Sequence, residues 1–111
     1  MNDGSGPAQV RESESDIPLF QLGEIVATTD ALALLQRHGV NAADLLRRHQ
    51  RGDWGELSVH DRAANDRAIK DGSRILSAYM VAGKKVWVVT DAASDDSISR
   101  TSTCVLMAGE Y

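Results

Sequence analysis

Along the 111-residue chain the spacing of apolar and polar positions changes rhythm three times. "IPLFQLGEIVAT" (17–28) is apolar and β-branched around a glycine, which predicts a strand within Gln21–Ala27. In "TTDALALLQRHG" the rhythm becomes helical. Thr29 or Asp30 is the N-cap, Leu32, Leu34 and Leu35 form the apolar face, and Gly39 is the stop. "VNAADLLRRHQRG" predicts a second helix, capped by Asn41, with Asp44 in its first turn and Val40 and Leu45 at staple positions. Arg47 and Arg48 suit its negative end, and Gly52 closes it. These two helices form an αα-hairpin. "LSVHDRAANDRAIKDG" predicts a third helix between Ser58 and Gly72. Its thin stripe of Ala64, Ala68 and Ile69 suits close packing on a sheet.

The last third is strand-like. "RILSAYMV" and "KVWVVTDA" flank the turn "AGK", and "TSTCVLMA" follows the polar "ASDDSISR". The order is strand, three short helices, then a three-stranded antiparallel meander. That is an α+β domain with its helices packed on one face and the first strand at a sheet edge. Residues 17–111 make this single domain. Residues 1–16, rich in Gly, Ser and acidic side chains, read as a disordered tail.

Charge narrows the partners. The formal net charge is −4, and Asp3, Glu12, Glu14 and Asp16 against Arg11 place most of it in the first 16 residues. The body is near neutral, which disfavours a general nucleic-acid surface. Cys104 is the only cysteine, so no internal disulfide forms, and a reducing, bacterial-type cytoplasm is the expected compartment. No apolar run reaches bilayer-spanning length, so no membrane role is expected.

Phosphate loops, dinucleotide fingerprints, nucleophile elbows and zinc-protease motifs are absent from the sequence, and no cofactor is expected. His38, His49 and His60 recur every eleven residues, but Gly39 and Gly52 interrupt any common helix, so no metal site is expected. The chemically richest stretch is "RRHQRGDWGEL" (47–57). Gly52 and Gly55 read there as backbone requirements and Trp54 as an apolar anchor. His49 and Asp53 are the members with a possible second task, since histidine exchanges protons near neutral pH. Asn65 interrupts an alanine-rich helix face and needs a hydrogen-bonding neighbour or a ligand. Ser77, Tyr79, Thr90 and Thr103 carry hydroxyls that share one sheet face if the registers permit.

The blocks "GEIVAT", "RHQRGDWGEL", "GSRILSAY", "KVWVVTDA" and "TCVLMAGEY" resemble a family of small proteins from bacterial conjugative plasmids and integrative elements. Its members carry labels such as plasmid-related protein or type I restriction endonuclease subunit M. The resemblance spans about Phe20 to Tyr111. Thr29-Asp30 stands where relatives tend to have Pro-Gly, "SDDSIS" is longer than usual, and "MAGEY" replaces a proline-containing end. A DNA-modification subunit needs a cofactor-binding domain of roughly twice this length. The resemblance therefore implies a genomic setting beside transfer and antirestriction genes, and no chemistry.

Three functions compete. The first is a non-catalytic accessory factor that binds a protein partner, with Trp54, Asn65, Tyr79, Trp87 and Tyr111 as candidate contacts. The second is a small metal-independent ribonuclease of barnase- or RelE-like architecture. It needs a base, an acid and a cation, for which His49, Asp53, Arg74 and Tyr79 are available. The third is a DNA-binding regulator, which lacks a basic recognition helix.

Overall fold

The computed structural model describes residues 17–94, 96 and 98–111; the expected tail lies outside them. Strand β1 (Glu24–Ala27) leads into helices α1 (Thr29–Arg37), α2 (Ala42–Gln50) and α3 (Val59–Asp71). Strands β2 (Ile75–Val81), β3 (Lys84–Thr90) and β4 (Ser102–Met107) follow, and a short 3-10 turn covers Ala108–Glu110.

The helix boundaries are set by local chemistry. Thr28, Asn41 and Ser58 each accept a hydrogen bond from a backbone N–H of the first turn, filling otherwise orphaned donors. The α1 cap is thus Thr28, one residue ahead of the expected Thr29. Gly72 ends α3 in the left-handed conformation.

The class is α+β, as expected, but the sheet is four-stranded and mixed, in the order β1-β4-β3-β2. β2, β3 and β4 are antiparallel neighbours, while β1 runs parallel to β4. A parallel neighbour needs a long connection, which the three helices and the two following strands supply. β1 is also shorter than expected, beginning at Glu24 rather than Gln21.

The register assigns each side chain a face. Ile75, Ser77, Tyr79 and Val81 of β2 align with Val86, Val88 and Thr90 of β3 and with Thr103, Val105 and Met107 of β4. Helices α1 and α2 cover this face, burying Leu34, Leu35, Leu45 and Leu46 against Tyr79, Val86, Val88 and Val105. The third helix does not join them. It lies beside the outer edge of β2, where Ala68 packs with Trp54 and Ile75. Its narrow apolar stripe serves an edge contact, too little surface for a seat on the sheet. The opposite face, with Leu76, Trp87, Cys104 and Val26, carries no α-helix across it; the 3-10 turn and Tyr111 pack on β3 there, and α3 borders it beside Leu76.

Ala82 and Gly83 form the β2–β3 turn, and both have positive φ, 51° and 79°. Two-residue hairpins with this backbone favour Asn-Gly, because alanine is strained in the left-handed region. Ala82→Asn is expected to stabilise the protein by about 1 kcal/mol. Urea unfolding, with an unchanged m-value, checks this.

Candidate functional site

His49 lies on the last turn of α2, facing the sheet, and is completely buried. Its Nδ1 is 2.6 Å from Ser77 Oγ and its Nε2 is 2.8 Å from Thr90 Oγ1. Thr90 Oγ1 is in turn 2.7 Å from Thr103 Oγ1, and the Thr103 hydroxyl donates to the Leu22 carbonyl over 2.8 Å. Proton supply fixes the direction of the chain. Thr103 spends its proton on Leu22, so it accepts from Thr90. Thr90 then accepts from His49 Nε2–H, and Ser77 donates to His49 Nδ1. A neutral imidazole with its proton on Nε2 satisfies every member, each hydroxyl donating once.

The surroundings hold His49 in that form. Phe20 meets the ring edge-on at 5.1 Å and Trp54 does so at 6.0 Å. Burial, reinforced by the nearby Arg100 guanidinium, lowers the imidazole from 6.5 to about 3. Between those values the unfolded chain binds a proton that the folded chain refuses. The stability contributed by His49 is complete above pH 6.5 and is lost as pH falls, by up to about 1.4 kcal/mol per pH unit. Denaturant unfolding at pH 7 and pH 5 is expected to show a loss in the wild type exceeding that of His49→Leu by about 2 kcal/mol.

Following α2, the glycine-flanked loop runs along the edge of β2. Ala78 N–H donates to the Trp54 carbonyl at 3.0 Å, and Glu56 N–H donates to the Ala78 carbonyl at 2.7 Å. Gly55 forms an isolated parallel bridge to Ala78. One residue pair along, the Asn65 amide does the same work: Nδ2 donates to the Leu76 carbonyl and Oδ1 accepts from Leu76 N–H. Two outward-facing residues of β2 thus have their backbone groups satisfied without another strand. Edge strands left open invite foreign pairing, and the "GDWGEL" loop with Asn65 closes this one. Gly55, at φ 76°, is required because a Cβ there would sit 2.0 Å from the Ala78 carbonyl oxygen.

Trp54 is buried, stacked on Phe20 at 6.2 Å, with its indole N–H donating to Asp66 at 3.2 Å. Asp53 is partly exposed and takes a 2.6 Å ion pair from Arg48, which keeps its carboxyl below the usual range. Tyr79 is buried under the Arg48 guanidinium, 4.4 Å from its ring centre. Its hydroxyl donates to the Asp53 carbonyl over 2.7 Å, and burial pushes the phenol up to about 12.

The four residues considered for catalysis therefore do not share a site. His49 and Tyr79 point into the core, and Asp53 is paired on the surface. Arg74 is directed to the helix-free face, where it bonds the Tyr111 hydroxyl and sits 5.1 Å from that ring. A cavity of about 280 Å³ lined by Phe20, Gln21, Ile69, Ile98 and Arg100 contains none of the four. A second, of about 200 Å³, gathers Asp61, Asn65 and Arg74 without His49 or Tyr79. Among the described residues no group of three or more His, Cys, Asp or Glu converges on one point, and no helix is long and apolar enough to cross a membrane.

Of the five residues considered for partner binding, Trp54, Asn65 and Tyr79 are corrected to interior positions, each at most 4% exposed. Their aromatic and amide groups are consumed by contacts within the chain. Trp87 and Tyr111 remain, packed edge to face at 5.5 Å on the helix-free side. Tyr111 is 58% exposed, and Val26 and Met80 on the same side are 42% and 50% exposed.

Sequence reading missed Arg100. Its guanidinium is buried and donates to the carbonyls of Ala68, Ser73 and Asp91, tying the end of α3 to the start of β2 and the end of β3. Nothing local marks an arginine after a polar loop for that task. Comparison with protein-family models, curated proteins and solved structures returned no match, so the site is read from its own geometry.

Proposed function

We propose that this protein is a non-catalytic, protein-binding accessory factor, and that its contact surface is the helix-free face of the sheet around Trp87 and Tyr111. One observation carries the reading. The residues considered for catalysis do not converge on one site, whereas exposed Met80 and Tyr111 lie together on the helix-free side. They flank a half-buried Trp87 there. Lys85 and Arg74 rim this apolar centre, the arrangement found where proteins dock on one another.

The resemblance of "RHQRGDWGEL" and its companion blocks to proteins of conjugative plasmids supports the setting: a bacterial mobile element, in whose company blunting host defence is the natural task. The partner is then a host or element-encoded protein in the cytoplasm.

A tagged wild-type protein and the double variant Met80→Glu/Tyr111→Ser test this in parallel captures from bacterial lysate, with and without nuclease. The expected result is a protein partner that survives nuclease and is lost with the variant, while circular dichroism shows the fold retained. Recovery that the variant leaves unchanged, or recovery of nucleic acid alone, overturns the reading.

A further inference from the structure

The two edges of the sheet are treated differently. On β2, Leu76 and Ala78 have their outward N–H and C=O groups occupied by Asn65, Trp54 and Glu56. On β1 no described residue does this. Glu24 N–H donates to the Thr101 carbonyl and Thr28 N–H to the Val105 carbonyl, so Glu24, Val26 and Thr28 turn their backbone groups inward to β4. By alternation Ile25 and Ala27 turn theirs outward. The side chains match this opening, with Ile25 51% and Val26 42% exposed. Glu24–Ala27 contains no lysine, proline or bulge of the kind that guards natural edges.

We propose that this edge pairs antiparallel with β1 of a second copy, about a two-fold axis through Val26. The pattern of the strand is self-complementary in that register. Ile25 meets Ala27 of the second copy as a hydrogen-bonded pair, and Ala27 meets its Ile25, for about four backbone hydrogen bonds in all. Val26 faces its own counterpart across the axis as a non-hydrogen-bonded pair. Glu24 falls opposite Thr28 of the second copy and not opposite its own counterpart, the Thr28 hydroxyl itself being engaged by Glu110. The axis stands perpendicular to the sheet, and the result is one eight-stranded sheet whose helix-free faces lie on the same side. The contact is isologous, so it closes at two copies without propagating. It does not depend on the partner surface around Trp87, which lies two strands away.

Analytical ultracentrifugation of the full chain from roughly 1 mM to about 1 μM, the range in which weak interfaces associate, tests this. The wild type is expected to approach twice its 12.0 kDa mass at the upper end. Ile25→Pro removes an outward N–H and no bond to β4, and Val26→Lys sets two cations on the axis; both are expected to stay monomeric with wild-type circular dichroism. In a Cys104→Ser background, Val26→Cys is expected to oxidise to a covalent dimer, because Cα atoms of a non-hydrogen-bonded pair lie about 4.5 Å apart, within disulfide reach. A wild type monomeric throughout, or a dimer that both variants leave intact, overturns the proposal.

Discussion

Gly55→Ala is expected to destabilise the protein by at least about 4 kcal/mol, or to prevent folding at ambient temperature. Two costs combine. At φ 76° alanine is strained by about 1–2 kcal/mol. The larger cost is steric, since the new Cβ would lie 2.0 Å from the Ala78 carbonyl oxygen and 2.8 Å from the Tyr79 ring. Relieving that overlap pushes the loop off β2 and breaks the Ala78–Trp54 and Glu56–Ala78 hydrogen bonds. It also withdraws Trp54 from its packing with Ala68 and Ile75. Gly39→Ala separates the two costs. Gly39 has a φ of 67° but open space where its Cβ would project, so its loss is expected near 1 kcal/mol. Urea unfolding of both variants checks the pair; equal losses would mean that backbone conformation, and not the approach to β2, explains Gly55.

His49→Ala is expected to cost about 3–5 kcal/mol. The substitution empties a site walled by Phe20 and Trp54 and leaves the Ser77 and Thr90 hydroxyls short of a partner. A double-mutant cycle of His49→Leu with Thr90→Val resolves the polar part. Each single change strands a buried group, whereas the pair removes both ends of the Nε2–Thr90 bond. The double variant should therefore be more stable than the sum of the singles predicts, by about 1–2 kcal/mol. Strict additivity would sink the idea that His49 and Thr90 act as one unit.

What could be foreseen from the sequence divides by range. Asn41, Ser58 and Gly72 mark helix ends through bonds spanning a few residues, and those ends fall where their chemistry requires. Ala82-Gly83 and the alternation around Tyr79 and Trp87 give the hairpin for the same reason. Gly55 is different. A left-handed glycine in "GDWGEL" is legible, but the carbonyl it must approach belongs to Ala78, a neighbour only after folding. Asn65 showed that it needed a partner and could not show that the partner was the backbone of Leu76. The hydroxyls of Ser77, Tyr79, Thr90 and Thr103 do share a face, but only the registers of three strands bring Ser77, Thr90 and Thr103 onto His49. The pairing of β1 with β4 depends on long-range packing that no local signal carries, which is why β1 was expected at a sheet edge, where it lies, but without its parallel partner β4.

The same distinction turns the functional reading. His49 is the residue on which the ribonuclease alternative placed its proton transfer, and the fold closes over it. Nitrogen NMR of the His49 imidazole, followed from about pH 8 to about pH 5 where an ordinary histidine titrates, tests this most directly. The expected result is a neutral ring with its proton on Nε2 and shifts that stay flat across the range. A ring that titrates near 6.5, or that carries its proton on Nδ1, would contradict it and return His49 to the candidates for catalysis.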